Sequence, residues 1–276
     1  MIPTVSLTEQ QCSRFHHDGY LSIPSLTTHE DVARLRVSYD RIFSTLAGRD
    51  VGDQFDLAGT DEEGKRAALP QILHPAKYAP EMKDSLLLVN ATAVAQQLLG
   101  PEATCEIAHA IFKPALTGAE TPWHQDAAYW DPALHYTAIS IWVPLQEATT
   151  RNGCMEFISG SHLCDVLTHR SMNNDARIHA LELAPGERHR LTGIVSCPLA
   201  EGGATFHGPY MLHHTGPNHS TVPRRALILN AAIPPAPRPV PLHFPWMEQK
   251  ATAREERARL AAGRGIQVDG APTGAL

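Results

Sequence analysis

Apolar positions recur at helical spacing over the first hundred residues and fall into short runs afterwards. Ser6-Leu7-Thr8-Glu9 has the form of a capping box that opens a short helix toward Phe15, and Asp18-Gly19-Tyr20 ends it. Leu21 to Pro24 reads as a short strand. Thr27-Thr28-His29-Glu30 is a second box, and behind it Val32, Leu35, Tyr39, Ile42 and Phe43 form one apolar stripe. Residues 44–70 are polar and contain glycine, which predicts a long loop or lid. A further helix is expected from about Glu81 to Leu99, with Leu87, Ala91, Val94 and Leu98 as its stripe and Gly100-Pro101 as its stop.

After residue 101 the pattern changes to strands: Cys105–Phe112, Tyr136–Leu145, Cys154–Ile158, Ile194–Leu199, Ala204–His207, Met211–Thr215 and Arg225–Ile233. Short strands separated by Pro and Gly predict a sandwich or jelly roll, not a parallel sheet. Met247–Ala262 is charged and Ala-rich and predicts one exposed helix, with a loose tail through Gly270-Ala271-Pro272. The expected organisation is one domain over 1–276. Its parts are a helical portion and lid (1–100), a β core (101–235) and a C-terminal helix and tail (236–276).

Composition narrows the function. Hydrophobic residues make up 43% of 276, as in an ordinary globular chain. The net charge of −6 and the lack of a basic block argue against nucleic acid as a partner. No apolar run approaches a membrane span, and Met1-Ile2-Pro3-Thr4-Val5 lacks the features of a signal peptide. Five scattered cysteines without C-x-x-C fit a reduced, cytoplasmic setting better than a disulfide framework.

The candidate chemistry lies in His124-Gln125-Asp126 and, far downstream, His213 and Arg224. In an extended strand His124 and Asp126 project to one face and Gln125 to the other. Two imidazoles and one carboxylate bind non-haem Fe(II) on one face of an octahedron and leave the opposite face open. An Arg beyond the second His supplies a fork for a carboxylate. A lone His-x-Asp arises by chance in many chains, so the downstream half decides.

There the sequence resembles the phytanoyl-CoA dioxygenase-like family of Fe(II)/2-oxoglutarate oxygenases. His124-Gln125-Asp126 matches the family's first motif. Asn152-Gly153-Cys154-Met155-Glu156-Phe157-Ile158-Ser159-Gly160-Ser161-His162 matches the second, with Met for Leu and Ser for Pro. His213, Thr215, Asn218 and Arg224 match the third. Phe15-His16-His17-Asp18-Gly19-Tyr20 is similar to the family's opening helix–strand junction, so the resemblance spans roughly residues 7–235.

The resemblance implies a double-stranded β-helix (jelly roll, cupin-like) with helices packed on one sheet. It implies Fe(II) on His124, Asp126 and His213, with 2-oxoglutarate and O2 as co-substrates. Arg224 would take the distal carboxylate of 2-oxoglutarate and Thr215 would add a hydroxyl. His214 rivals His213 but would face away from Thr215, whereas His207 and His219 break the spacing to Arg224. Arg224 and Arg225 must face opposite ways.

On Tyr136–Leu145, the face of Ala138, Ser140 and Trp142 is the smaller and more polar one. Trp142 therefore reads equally as a pocket wall beside the co-substrate and as core. His109 is a candidate contact to co-substrate or substrate, Lys113 reads as solvated, and Gln71 reads as a loop residue, with a polar wall of the pocket as the alternative. Asn152-Gly153 reads as a turn and His162 as structural.

The expected reaction is hydroxylation of an unactivated C–H of a small metabolite or natural product, releasing succinate and CO2. Desaturation, epimerisation or ring closure would use the same centre, and an iron-binding jelly roll without 2-oxoglutarate is the further alternative. Asp126 occupies the position that a halogenase leaves to halide, which disfavours halogenation.

Overall fold

A computed structural model describes residues 1–266; the expected tail at 270–272 lies outside them. In chain order the elements begin with α1 (Glu9–Asp18), β1 (Tyr20–Ile23), α2 (His29–Ser44), β2 (Gln54–Asp56), β3 (Pro70–Leu73), α3 (Pro75–Tyr78) and α4 (Leu86–Leu99). Strands β4 (Thr104–Lys113), β5 (Thr121–His124), β6 (Leu134–His135), β7 (Ala138–Pro144), β8 (Met155–Ile158), β9 (His169–Ser171) and β10 (Leu181–Leu183) follow. The chain continues through β11 (Ile194–Cys197), β12 (Ala204–His207), β13 (His213–Thr215), β14 (Arg224–Ala232), β15 (Ala236–Pro237), α5 (Pro245–Glu248) and α6 (Ala253–Gly263).

A seven-stranded sheet runs β1-β12-β7-β14-β4-β3-β2 and a four-stranded sheet runs β11-β8-β13-β5. All the recorded pairings in both sheets are antiparallel. This is the jelly roll, with helices on one sheet. Alternation along the strands of the large sheet decides what each face meets. On β7, Ile139, Ile141 and Val143 join Leu227, Leu229 and Ala231 of β14 in the core shared with Val32, Leu35, Tyr39 and Ile42 of α2 and Leu87, Ala91, Val94 and Leu98 of α4. The other face carries Trp142 and Ala226, which pack against Met155 and Phe157 of the small sheet. The space between the sheets is where the polar residues gather.

Local signals acted close to where the sequence put them, with corrections. The helix caps are Thr8, paired with Gln11 in a capping box, and Thr28, which accepts from the Asp31 amide. The expected 81–99 helix is broken: a 3-10 turn covers Pro80–Asp84, and Ser85 then caps α4. Residues 44–70 are not simply a lid. Within them β2 pairs with β3 at the edge of the large sheet, burying Phe55, Leu57 and Leu69. The Asp56 carboxylate ties the loop down by accepting from the amides of Ala58, Ala68 and Leu69. The C-terminal helix begins at Ala253, not near Met247, and is docked, with Arg257 paired to Asp61 and Arg254 set against Gly52.

Candidate active site

The two histidines are aimed by their own backbone. Strands β5 and β13 pair with His124 directly opposite His213, which brings the rings to 4.1 Å between centroids. His124 Nδ1 donates to the Pro122 carbonyl at 2.7 Å and His213 Nδ1 to the Met211 carbonyl at 2.9 Å. A carbonyl only accepts, so the hydrogen sits on Nδ1 and each Nε2 keeps its lone pair for a metal.

Strand β5 stops at His124, and Asp126 opens a 3-10 turn over Asp126–Tyr129. Asp126 is therefore not on the strand, as a continuous i, i+2 reading required. Gln125 keeps the extended backbone that turns it away, donating to the Tyr210 carbonyl at 2.7 Å and accepting from the Leu167 amide. Asp126 Oδ1 stands 3.6 Å from His124 Nε2 and 3.4 Å from His213 Nε2. Its Oδ2 accepts from the Ser140 hydroxyl and lies 3.4 Å from His207 Nε2. One oxygen thus faces the histidines and the other is occupied. Donor atoms of His124, Asp126 and His213 all fall within 4.8 Å of one another, a set that fits one ion at about 2 Å from each.

Burial works to raise the Asp126 carboxyl, but His213, His124 and His207 around it outweigh that and hold it well below its ordinary value. Burial and the neighbouring imidazole lower both His124 and His213, which keeps them neutral, as ligation requires.

The opposite wall comes from the large sheet. Arg224 and Lys113 face each other across the β14–β4 pairing, and both are completely buried. Arg224 Nε and Nη1 have no hydrogen-bond partner, and its guanidinium lies 5.3 Å from the centre of the Trp142 ring. Burial lowers the guanidinium to about 10, so it remains a cation. A buried cation with open donors is a site for an anion.

Arg225, one residue on, leaves the other face and forks onto Asp40 of α2 at 2.6 and 3.1 Å. Trp142, read equally as pocket wall and as core, is buried among Tyr20, Met155 and Phe157 and lies against Arg224.

His109 reaches the site through a bulge. The β4–β14 register slips between Ile228↔His109 and Leu229↔Ile107, so Ile107 packs on the helices while His109 turns inward. Burial drives its imidazole down to about 4, partly opposed by Asp126, and the Gln71 amide donates to its Nδ1 at 3.1 Å. Gln71 is on β3 and buried, not on a loop.

Lys113 is the larger departure. It is not solvated: Nζ donates to the Thr215 carbonyl and to Thr215 Oγ1, both at 3.1 Å, and to the Gly216 carbonyl at 2.5 Å. Beyond the histidines stand Tyr129, edge-on to His124 at 5.8 Å, and His179, stacked on Tyr129 at 5.8 Å. Neither was flagged by its sequence neighbourhood, since His179 belongs to a segment with no regular element of its own. Ser140 had a signal, its place on the polar face of β7.

The phytanoyl-CoA dioxygenase family profile matches residues 15–226. The chain belongs to that family. It is accordingly an iron- and 2-oxoglutarate-dependent dioxygenase. It is similar to the crystal structure of EvdO2 from Micromonospora carbonacea var. aurantiaca complexed with 2-oxoglutarate, at 34% identity and a TM-score of 0.75, covering 90% of this chain and 99% of that one. It is 30% identical to L-proline trans-4-hydroxylase of Streptomyces griseoviridis, over 78% of this chain and 82% of that protein. It is 26% identical to a probable alpha-ketoglutarate-dependent hypophosphite dioxygenase of Stutzerimonas stutzeri, over 81% and 78% respectively. No helix among the described residues is long and apolar enough to cross a membrane.

In this phytanoyl-CoA dioxygenase family member, His214 is turned away from the site. It stacks on Trp123 at 5.1 Å, with Nδ1 at 2.9 Å from Glu156 and Nε2 at 3.2 Å from Glu120. His214→Ala is expected to keep wild-type iron stoichiometry after anaerobic loading. It should lose about 1 kcal/mol of stability with its hydrogen bonds, lowering Tm by about 2–4 °C. Loss of iron instead would mean that the strand register is wrong by one residue.

Gly153 also bears on the site. Its φ is +83°, and a Cβ there would stand 2.4 Å from the Gly216 carbonyl oxygen that Lys113 holds. Gly153→Ala is expected to cost more than about 1 kcal/mol and to weaken 2-oxoglutarate binding, read by denaturation and calorimetry.

Proposed function

We propose that the enzyme hydroxylates an unactivated C–H of a small metabolite or natural product, releasing succinate and CO2. His124, Asp126 and His213 would hold Fe(II). Arg224 and Thr215 would receive the distal carboxylate of 2-oxoglutarate, with Trp142 and His109 along its walls.

The observation that carries this reading is the buried, unpartnered Arg224 guanidinium beside a three-donor metal set. A metal centre that did not use a carboxylate co-substrate would gain nothing from such a cation. When bound, iron and 2-oxoglutarate supply the oxidising chemistry. The chain's own contribution is orientation. The Pro122 and Met211 carbonyls fix the imidazoles, the Ser140 hydroxyl occupies one oxygen of Asp126, and the sheet walls exclude water from Arg224.

Similarity to EvdO2 complexed with 2-oxoglutarate supports the co-substrate, and similarity to L-proline trans-4-hydroxylase supports an amino-acid-like metabolite among the candidate small substrates. All five cysteines are free, which supports the reading of a cytoplasmic enzyme.

The test is a panel of such compounds with succinate formation as the first readout and product mass as the second. Gain of one oxygen is the expected result. Loss of two hydrogens would indicate desaturation or ring closure, and an unchanged mass with altered stereochemistry would indicate epimerisation. Tight iron binding with no 2-oxoglutarate binding would overturn the reading.

A further inference from the structure

Lys113 has no assigned task, and its position is unusual. It is one of five lysines in the chain and is wholly buried. Its strand neighbour across the ladder is another cation, Arg224. Like charges directly opposite one another in an antiparallel pair are destabilising, and here both are desolvated. The acid whose field reaches Lys113, Glu120, is half-exposed and already engaged by His214. Three acceptors surround Nζ, the Thr215 carbonyl, the Thr215 hydroxyl oxygen and the Gly216 carbonyl. Burial and the Arg224 cation push the Lys113 ammonium well below the usual lysine range, but three oxygens closing on Nζ, two of them carbonyls that only accept, favour the ammonium, whose three N–H donors they saturate and leave none for a ligand.

The consequence falls on Thr215. A hydroxyl has one hydrogen and two lone pairs, and the Lys113 N–H occupies a lone pair. The hydroxyl hydrogen is thereby turned away from Lys113 and is free to donate elsewhere. A threonine left unconstrained in a β-strand shares that hydrogen with nearby carbonyls.

We propose that Lys113 is a positioning residue for the co-substrate: by holding the Thr215 hydroxyl oxygen it commits that O–H to the distal carboxylate received by Arg224. This rests on the co-substrate reading given above. It also accounts for Gly153, whose missing Cβ leaves room for the Gly216 carbonyl that completes the set.

The test is anaerobic calorimetry of the iron-loaded protein with 2-oxoglutarate and with 2-oxopentanoate, which lacks the distal carboxylate. Lys113→Met is expected to weaken 2-oxoglutarate about tenfold, as loss of one hydrogen bond would, and to leave 2-oxopentanoate unchanged. Thr215→Val should give the same loss, and the double variant no more than either single one. Equal weakening of both acids would assign Lys113 a merely structural role and overturn the proposal. So would wild-type 2-oxoglutarate affinity in a folded Lys113→Met protein.

A measurement on the unaltered chain guards against a variant that does not fold. In zinc-loaded protein labelled with 15N-lysine, the buried Nζ resonance should move on adding 2-oxoglutarate and not on adding 2-oxopentanoate. No movement with either overturns the proposal. If Arg224→Ala weakens 2-oxoglutarate while Lys113→Met does not, this inference fails and the assignment of Arg224 stands. If neither does, the reading of the site itself fails.

Discussion

Asp126→Ala is expected to abolish turnover and weaken Fe(II) binding. The carboxylate is the only anion among the three donor groups, and its Oδ1 stands 3.6 and 3.4 Å from the two Nε2 atoms. Loss of an outer partner of a metal ligand costs about 10–100-fold in affinity or activity, so loss of the ligand itself should exceed about 100-fold. The measurements are iron stoichiometry after anaerobic loading and succinate formation with substrate. His213→Ala should behave alike, in contrast to His214→Ala. Wild-type turnover in the Asp126→Ala protein would remove the basis of the metal assignment. Chlorinated product from that variant in added chloride would instead support it, because a halide would then occupy the vacated carboxylate position.

Arg224→Ala should raise the apparent KM for 2-oxoglutarate by about 10- to 100-fold at saturating substrate. A charge-assisted hydrogen bond contributes roughly 1.5–3 kcal/mol, and about 1.4 kcal/mol is a factor of ten. Lysine should rescue only in part, since an ammonium lacks the planar fork and the stacking on Trp142. Arg225→Ala should leave the KM unchanged, because that side chain is spent on Asp40 at the helical layer. An unaltered KM in Arg224→Ala would remove the reason for placing the co-substrate there.

What was legible in the sequence is what depends on short range. Strand alternation alone separates His213 from His214 and Arg224 from Arg225, and the structure turns each pair to opposite sides. Helix stripes over 32–43 and 87–98 mark the faces that meet the large sheet. What could not be read depends on partners distant in the chain. Lys113 beside Pro114 carries no local sign that Thr215 and Gly216 will close around it. Gln71 lies in a polar stretch, and only pairing with β4 turns it toward His109. The bulge that brings His109 inward arises from a register slip between two strands over a hundred residues apart, and no propensity in either strand records it. Asp126 left the strand for a 3-10 turn yet still stands beside the His124 and His213 imidazoles, so the three residues expected together are together by a local geometry that was only partly right.

The anchoring of His124 and His213 to the carbonyls two residues before them has a consequence for redesign. The direction of each imidazole is set by the polypeptide ladder, not by the side chains that surround it. Tyr129, edge-on to His124, and His179, stacked behind it, take no part in that anchoring. Replacing His179, which bears on neither imidazole directly, is therefore expected to leave both rings aimed as they are. The fold separates the tool from its handle, and the handle is the part open to change.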